Sequence, residues 1–125
     1  MMPVMQAQKE QDVTSARIRL EARLPARRCF RAYEVAVTRD LFGAWVVERC
    51  YGRIGALGRA KVRSFATPEE AQAEVEACLR KRASAPSRIG VAYQVRDATG
   101  SGVWQPSEVE AWLRVLQRAG PPGAA

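Results

Sequence analysis

The stretch Ala44-Trp45-Val46-Val47-Glu48-Arg49-Cys50-Tyr51-Gly52-Arg53-Ile54-Gly55-Ala56-Leu57-Gly58-Arg59-Ala60-Lys61-Val62-Arg63-Ser64-Phe65 decides how this chain folds. Its first part, Ala44 to Tyr51, is rich in aromatic and β-branched residues and reads as a strand. Gly52, Gly55 and Gly58 then punctuate the chain at a spacing of three. From Arg59 to Phe65 the alternation resumes, with Arg59, Lys61 and Arg63 on one face and Ala60, Val62 and Ser64 on the other. Two period-two runs separated by glycines predict antiparallel strands joined by a turn. The glycines lack both the Gly-Lys-Ser/Thr ending of a P-loop and the G-x-G opening of a dinucleotide fingerprint. A turn, and not a nucleotide cradle, is therefore expected.

The same period extends upstream. Ile18, Leu20, Ala22 and Leu24 alternate with Arg17, Arg19, Glu21 and Arg23, predicting a half-buried strand that Pro25 ends. After the basic loop Ala26-Arg27-Arg28 comes a second strand, Arg31 to Thr38, with Tyr33, Val35 and Val37 on one face. Arg39-Asp40-Leu41-Phe42-Gly43 reads as the turn into the strand quoted above.

Downstream the period changes. Thr67-Pro68-Glu69-Glu70 is a helix start, with Thr67 as N-cap, Pro68 at the first helical position and Glu70 closing a capping box. Ala71, Val75, Cys78 and Leu79 form its apolar stripe, Arg80, Lys81 and Arg82 sit in its last turn, and Pro86 lies beyond its end. Val91 to Arg96 is expected as a last strand, followed by a turn-rich loop from Asp97 to Gly102. Ser107-Glu108 opens a second helix carrying Val109, Trp112, Leu113 and Leu116, which Gly120 ends. The predicted class is α+β: an antiparallel sheet of four to five strands, one helix packed on it and a second, C-terminal helix. The organisation expected is a disordered tail over 1–14, the domain over 15–97, a loop and helix over 98–119, and a tail over 120–125.

Composition narrows the function. At 125 residues there is room for one domain. Histidine is absent, which removes Ser-His-Asp triads, Cys-His dyads and every His-ligated metal site. Cys29, Cys50 and Cys78 are far apart and include no C-x-x-C pair, so they read as reduced, buried thiols and not as a zinc site or disulfide framework. No carboxylate pair suggests acid–base catalysis; Glu69 and Glu70 belong to the helix start. No catalytic residue, cofactor or metal is expected. No apolar run approaches the roughly 18 to 20 residues of a membrane span, and Met1 to Glu10 lacks the pattern of a secretory signal, so a cytoplasmic, non-membrane protein is expected. The net charge of +7 points to anionic partners, nucleic acid before acidic proteins.

Arg31-x-Tyr33, Asp40-Leu41-Phe42-Gly43-x-Trp45, Tyr51-Gly52-Arg53-Ile54-Gly55-x-x-Gly58, Phe65 and Glu69-Glu70-Ala71 together resemble the WGR domain. That family is named for a Trp-Gly-Arg tripeptide and occurs in poly(ADP-ribose) polymerases and in many bacterial proteins. The resemblance runs from about Ile18 to Tyr93. Tyr51 stands where the name-giving Trp is expected, which keeps an aromatic face but shrinks it and adds a hydroxyl. The resemblance implies nucleic-acid binding, DNA before RNA, and no polymerase activity, because the catalytic domain of those enzymes has no counterpart in these residues.

Phosphate contacts are expected from Arg53, Arg59, Lys61 and Arg63, with Gly52 permitting close approach of the backbone and Tyr51 offering a stacking face. Trp45 is expected in the core, and Trp104 and Trp112 are expected to pack the last helix onto the sheet. The alternative is a protein-interaction module docking an acidic partner or a neighbouring domain, as WGR domains do within the polymerases. A monomer is favoured, although Trp112 and Leu116 on the last helix would permit a homodimer.

Overall fold

The computed structural model describes residues 15–119; the tails expected at 1–14 and 120–125 lie outside them. The chain order is β1 (Ser15–Leu24), a 3-10 turn (Pro25–Arg27), β2 (Cys29–Arg39), β3 (Trp45–Arg53), β4 (Arg59–Phe65), α1 (Pro68–Ala83), the short α2 (Ala85–Ile89), β5 (Gln94–Gly100) and α3 (Pro106–Ala119). The strands form one antiparallel sheet in the order β4-β3-β2-β1-β5. This is the α+β class read from the sequence.

Alternation sets the two faces. Ile18, Leu20, Val35, Val37 and Val47 point to one side and are almost fully buried. Arg17, Arg19 and Arg23 on β1 point to the other and stay exposed. Only the first face is covered, by α1 and α3, as expected for an antiparallel sheet with one wet side. The stripe Ala71, Val75, Cys78 and Leu79 of α1 is buried there. Thr67 caps α1 as predicted: its hydroxyl accepts from the Glu70 amide at 3.2 Å, and the Glu70 carboxylate accepts from the Thr67 amide at 3.2 Å.

Aromatic packing fixes the last helix. Trp104 stands edge-on to Trp45 at 5.0 Å and to Trp112 at 6.0 Å between ring centroids. All three are buried, so these indoles hold α3 to the sheet. Trp112 is thereby taken into the core, and Leu116 packs against it.

Several boundaries differ from the sequence reading. The last strand begins at Gln94, not Val91, and continues through Asp97–Gly100, where a turn-rich loop was expected. The cause is non-local: the outer edge of β1 pairs Arg19 with Asp97, Ile18 with Ala98 and Ala16 with Gly100. Backbone pairing overrides the weak strand propensity of that segment. Pro86 lies beyond the end of α1, as read, but falls in the first turn of α2, a short helix the sequence reading did not include. Of the three thiols, Cys78 is buried while Cys29 and Cys50 are half-buried.

Candidate nucleic-acid interface

The glycine turn owes its spacing to its own backbone. A Cβ on Gly52 would lie 2.8 Å from the Gly58 Cα, and one on Gly58 would lie 2.6 Å from the Tyr51 carbonyl oxygen. Gly58 also has φ +73, where side chains are strained. The two chain segments therefore touch main chain to main chain, closing the loop from Ile54 to Leu57. Ile54 N–H donates to the Phe30 carbonyl at 3.0 Å, tying that loop to the start of β2. The close approach read from the glycines is thus an approach of the turn to itself.

Beside this turn, on the helix-covered side at the end of the sheet, lies a cleft of about 430 Å³. Arg27, Arg28, Arg31, Arg53 and Arg82 line it, with Tyr51 and Tyr93 among its walls and no carboxylate. Register explains the convergence. Arg31 pairs with Arg53 and Tyr33 with Tyr51, so these side chains share one face. Arg27 and Arg28 arrive from the turn between β1 and β2, where Arg28 takes a left-handed conformation at φ 52. Arg82 comes from the last turn of α1, which runs up the sheet from Glu74 beside Arg63 to Cys78 beside Arg49.

Two of these guanidiniums rest on aromatic rings. Arg53 lies 5.3 Å above the Phe30 ring and Arg82 lies 4.6 Å above Tyr33. Burial pushes the Tyr33 hydroxyl well above its ordinary pKa, with a hydrogen bond to Cys78 adding to the rise, so Arg82 covers a neutral phenol. The Arg82 Nε is buried and has no hydrogen-bond partner. Among the described residues none of the five cleft arginines forms a salt bridge.

The six residues singled out in the sequence separate into two groups. Tyr51, Gly52 and Arg53 line the cleft, with Tyr51 half-buried and Arg53 exposed. Arg59, Lys61 and Arg63 do alternate onto one face, and they are exposed. That face is the helix side: the three pair with Tyr51, Arg49 and Val47 along the edge of the sheet. Arg63 is already engaged, 3.3 Å from the Glu74 carboxylate and 5.3 Å above the Phe65 ring.

On the uncovered face carboxylates stand among the arginines. Glu34 lies 3.6 Å from both Arg17 and Arg19, and Glu21 lies 3.0 Å from both Arg23 and Arg96. Hydrogen bonds from Arg96 and then Arg23 hold the Glu21 carboxyl below its ordinary pKa. A second hollow, about 510 Å³, opens on this side under the glycine turn and includes Arg19, Glu21, Glu34 and Cys50. Burial, with Glu48 and Glu34 nearby, pushes the Cys50 thiol up, away from the reactive thiolate.

Sequence reasoning missed Arg27, Arg28, Arg31, Arg82 and Tyr93. Arg31 carried a usable signal, since it shares parity with Tyr33 along β2. Arg82 was assigned only to the helix dipole, and nothing local distinguishes it from Arg80. Among the described residues no three of His, Cys, Asp and Glu cluster as a metal site, and no helix is long and apolar enough to cross a membrane.

The family model described as WGR domain matches residues 17–85, more than half of the chain. No curated protein matches the sequence.

Proposed function

The chain belongs to the WGR domain family, and from that premise we propose that it is a non-enzymatic nucleic-acid-binding module acting on DNA before RNA. The observation that carries this reading is the cleft at the end of the sheet, with five arginines and no carboxylate in its lining. Guanidinium groups suit phosphate because they offer planar, paired donors and keep their charge. Among the described residues these five are also without internal ion pairs, so a phosphate does not have to displace a carboxylate. Tyr51 and Tyr93 supply aromatic faces for a sugar or base.

In this reading Tyr51, Gly52 and Arg53 form the wall of the site. Arg59, Lys61 and Arg63 continue it along β4 as a flanking track for the backbone. Contacts of this type read phosphate and not base edges, so affinity depends on salt far more than on sequence. Trp112 lies inside the core, which supports a monomer. The absence of histidine supports a binding role over a catalytic one, and a cytoplasmic setting agrees with thiols that are reduced and unpaired.

Fluorescence anisotropy with labelled duplex, nicked and single-stranded DNA, and with RNA, tests the proposal at two salt concentrations. On duplex the logarithm of the association constant should fall by about 0.9 per phosphate contact for each tenfold rise in salt. Arg53→Ala combined with Lys61→Ala should weaken binding and leave the thermal transition intact. Failure to bind any of these nucleic acids at low salt would refute the reading.

A further inference from the structure

The two edges of the sheet are built differently. The β5 edge is irregular: its register with β1 shifts between Arg19 and Leu20, and α3 packs beside it. Bulges of this kind protect an edge from further pairing. The β4 edge has no such device. Its register with β3 is unbroken over all seven residues, and Arg59 through Ser64 are exposed. Alternate residues of such a strand turn unpaired amide and carbonyl groups outward.

Side chains decide what this edge can accept. Arg59, Lys61 and Arg63 lie on one face, while Ala60, Val62 and Ser64 put no charge on the other. A second copy of the strand, added antiparallel about Lys61, would set Lys61 against Lys61 and Arg59 against Arg63. Directly opposed like charges destabilise strand pairing, so the cations reject the chain's own edge. The same row favours a strand with carboxylates at alternate positions.

A further observation points the same way. Lys61 stands directly across from Arg49 on β3, and among the described residues Arg49, Arg59 and Lys61 form no salt bridge. The sheet therefore holds a like-charged pair at its margin without an internal counter-charge, and a carboxylate on an added strand would supply one. Arg63, already beside Glu74, contributes less.

We propose that the outer edge of β4 is a docking strand for an extended acidic segment of a partner protein, which adds to the sheet with carboxylates at alternate positions facing Arg59, Lys61 and Arg63. The exposed Val62 on the other face matches an apolar side chain at the intervening positions. This mode draws affinity from main-chain hydrogen bonds and specificity from alternate side chains. It does not rest on the nucleic-acid reading.

The test uses the whole chain and a blocked seven-residue peptide of alternating glutamate and valine, titrated at low salt without nucleic acid. The expected result is saturable binding, with the outward amides of β4 protected from hydrogen exchange in the complex. A second peptide, identical in charge but N-methylated at alternate residues, cannot complete the ladder. It should bind at least about tenfold more weakly, since each lost main-chain bond removes part of the affinity. Lys61→Glu should also weaken binding of the alternating peptide. A smaller loss on N-methylation would mean that charge attraction alone is at work and would overturn the proposal. Absence of binding, or unchanged exchange along β4 at saturation, would do the same.

Discussion

Two hollows share the wall formed by Tyr51, Gly52 and Arg53, and they differ in what surrounds their cations. On the helix-covered side the wall faces Arg27, Arg28, Arg31 and Arg82, with no carboxylate among the lining residues. On the uncovered side it faces Arg19 together with Glu21 and Glu34, and those carboxylates are bridged to Arg17, Arg19, Arg23 and Arg96. Both regions are rich in arginine. They differ in lining: one has no carboxylate, while the other sets Glu21 and Glu34 beside Arg19 and the shared Arg53. The net charge of +7 therefore says less about a ligand site than the pairing of each charge does.

The comparison is most strongly tested by removing cations in pairs. Arg31→Gln with Arg53→Gln takes two guanidiniums from the unpaired cleft. If each contacts one phosphate, duplex affinity at 0.1 M salt should fall roughly sixtyfold and the salt slope should shrink by about 1.8. Arg17→Gln with Arg19→Gln removes the same charge from the paired face and should change affinity by less than about threefold, the remainder of a screened, long-range field. Anisotropy titrations over a salt series measure both. Equal losses from the two pairs would erase the distinction between the hollows.

How much of this was legible in the sequence follows from the range over which each feature is encoded. The α1 start was readable because Thr67, Pro68 and Glu70 lie within one turn and satisfy each other's backbone groups. The strand through Trp45 and the alternation on β1 were readable because period two is a local property. The Asp97–Gly100 strand was not, because its partner is β1, some eighty residues earlier. The candidate site divides in the same way. Tyr51, Gly52 and Arg53 are neighbours in sequence and so were found. Arg27, Arg28, Arg31 and Arg82 meet them only after the β1–β2 turn and the far end of α1 have been placed. The pairing of Glu21 with Arg96, on the distant strand β5, was equally invisible.

A second test acts on the shared wall itself. Gly58→Ala would place a methyl group 2.6 Å from the Tyr51 carbonyl oxygen, at a φ of +73. The main chain would have to move, and a loss of roughly 2 to 4 kcal/mol is expected from combined strain and displacement. Gly55→Ala is the control. Its φ is also positive, at +87, but nothing lies within 4 Å of the added carbon. It should cost only about 1 to 2 kcal/mol from the left-handed conformation. Urea unfolding gives both values. If Gly58→Ala proved no worse than Gly55→Ala, the contact between Gly52 and Gly58 would not be what shapes the wall.

The smallest effect is the most specific to the comparison. Glu21 is held below its ordinary pKa by hydrogen bonds from Arg96 and Arg23. A carboxyl depressed in the folded state stabilises it above the unfolded-state value and loses that contribution as pH falls through the folded value. Glu21→Gln should therefore lower the urea midpoint slightly at pH 7, by less than Gly55→Ala does. The gap between variant and parent should close under acid, once the parent carboxyl is protonated. The same substitution releases Arg23 and Arg96 from their counter-charge. If pairing is what keeps the uncovered face from anions, Glu21→Gln should raise duplex affinity at low salt, by no more than about eightfold at 0.1 M for each additional phosphate that the freed arginines engage. Unchanged affinity would mean that those arginines lie beyond the reach of the bound duplex, and that position, not pairing, separates the two hollows.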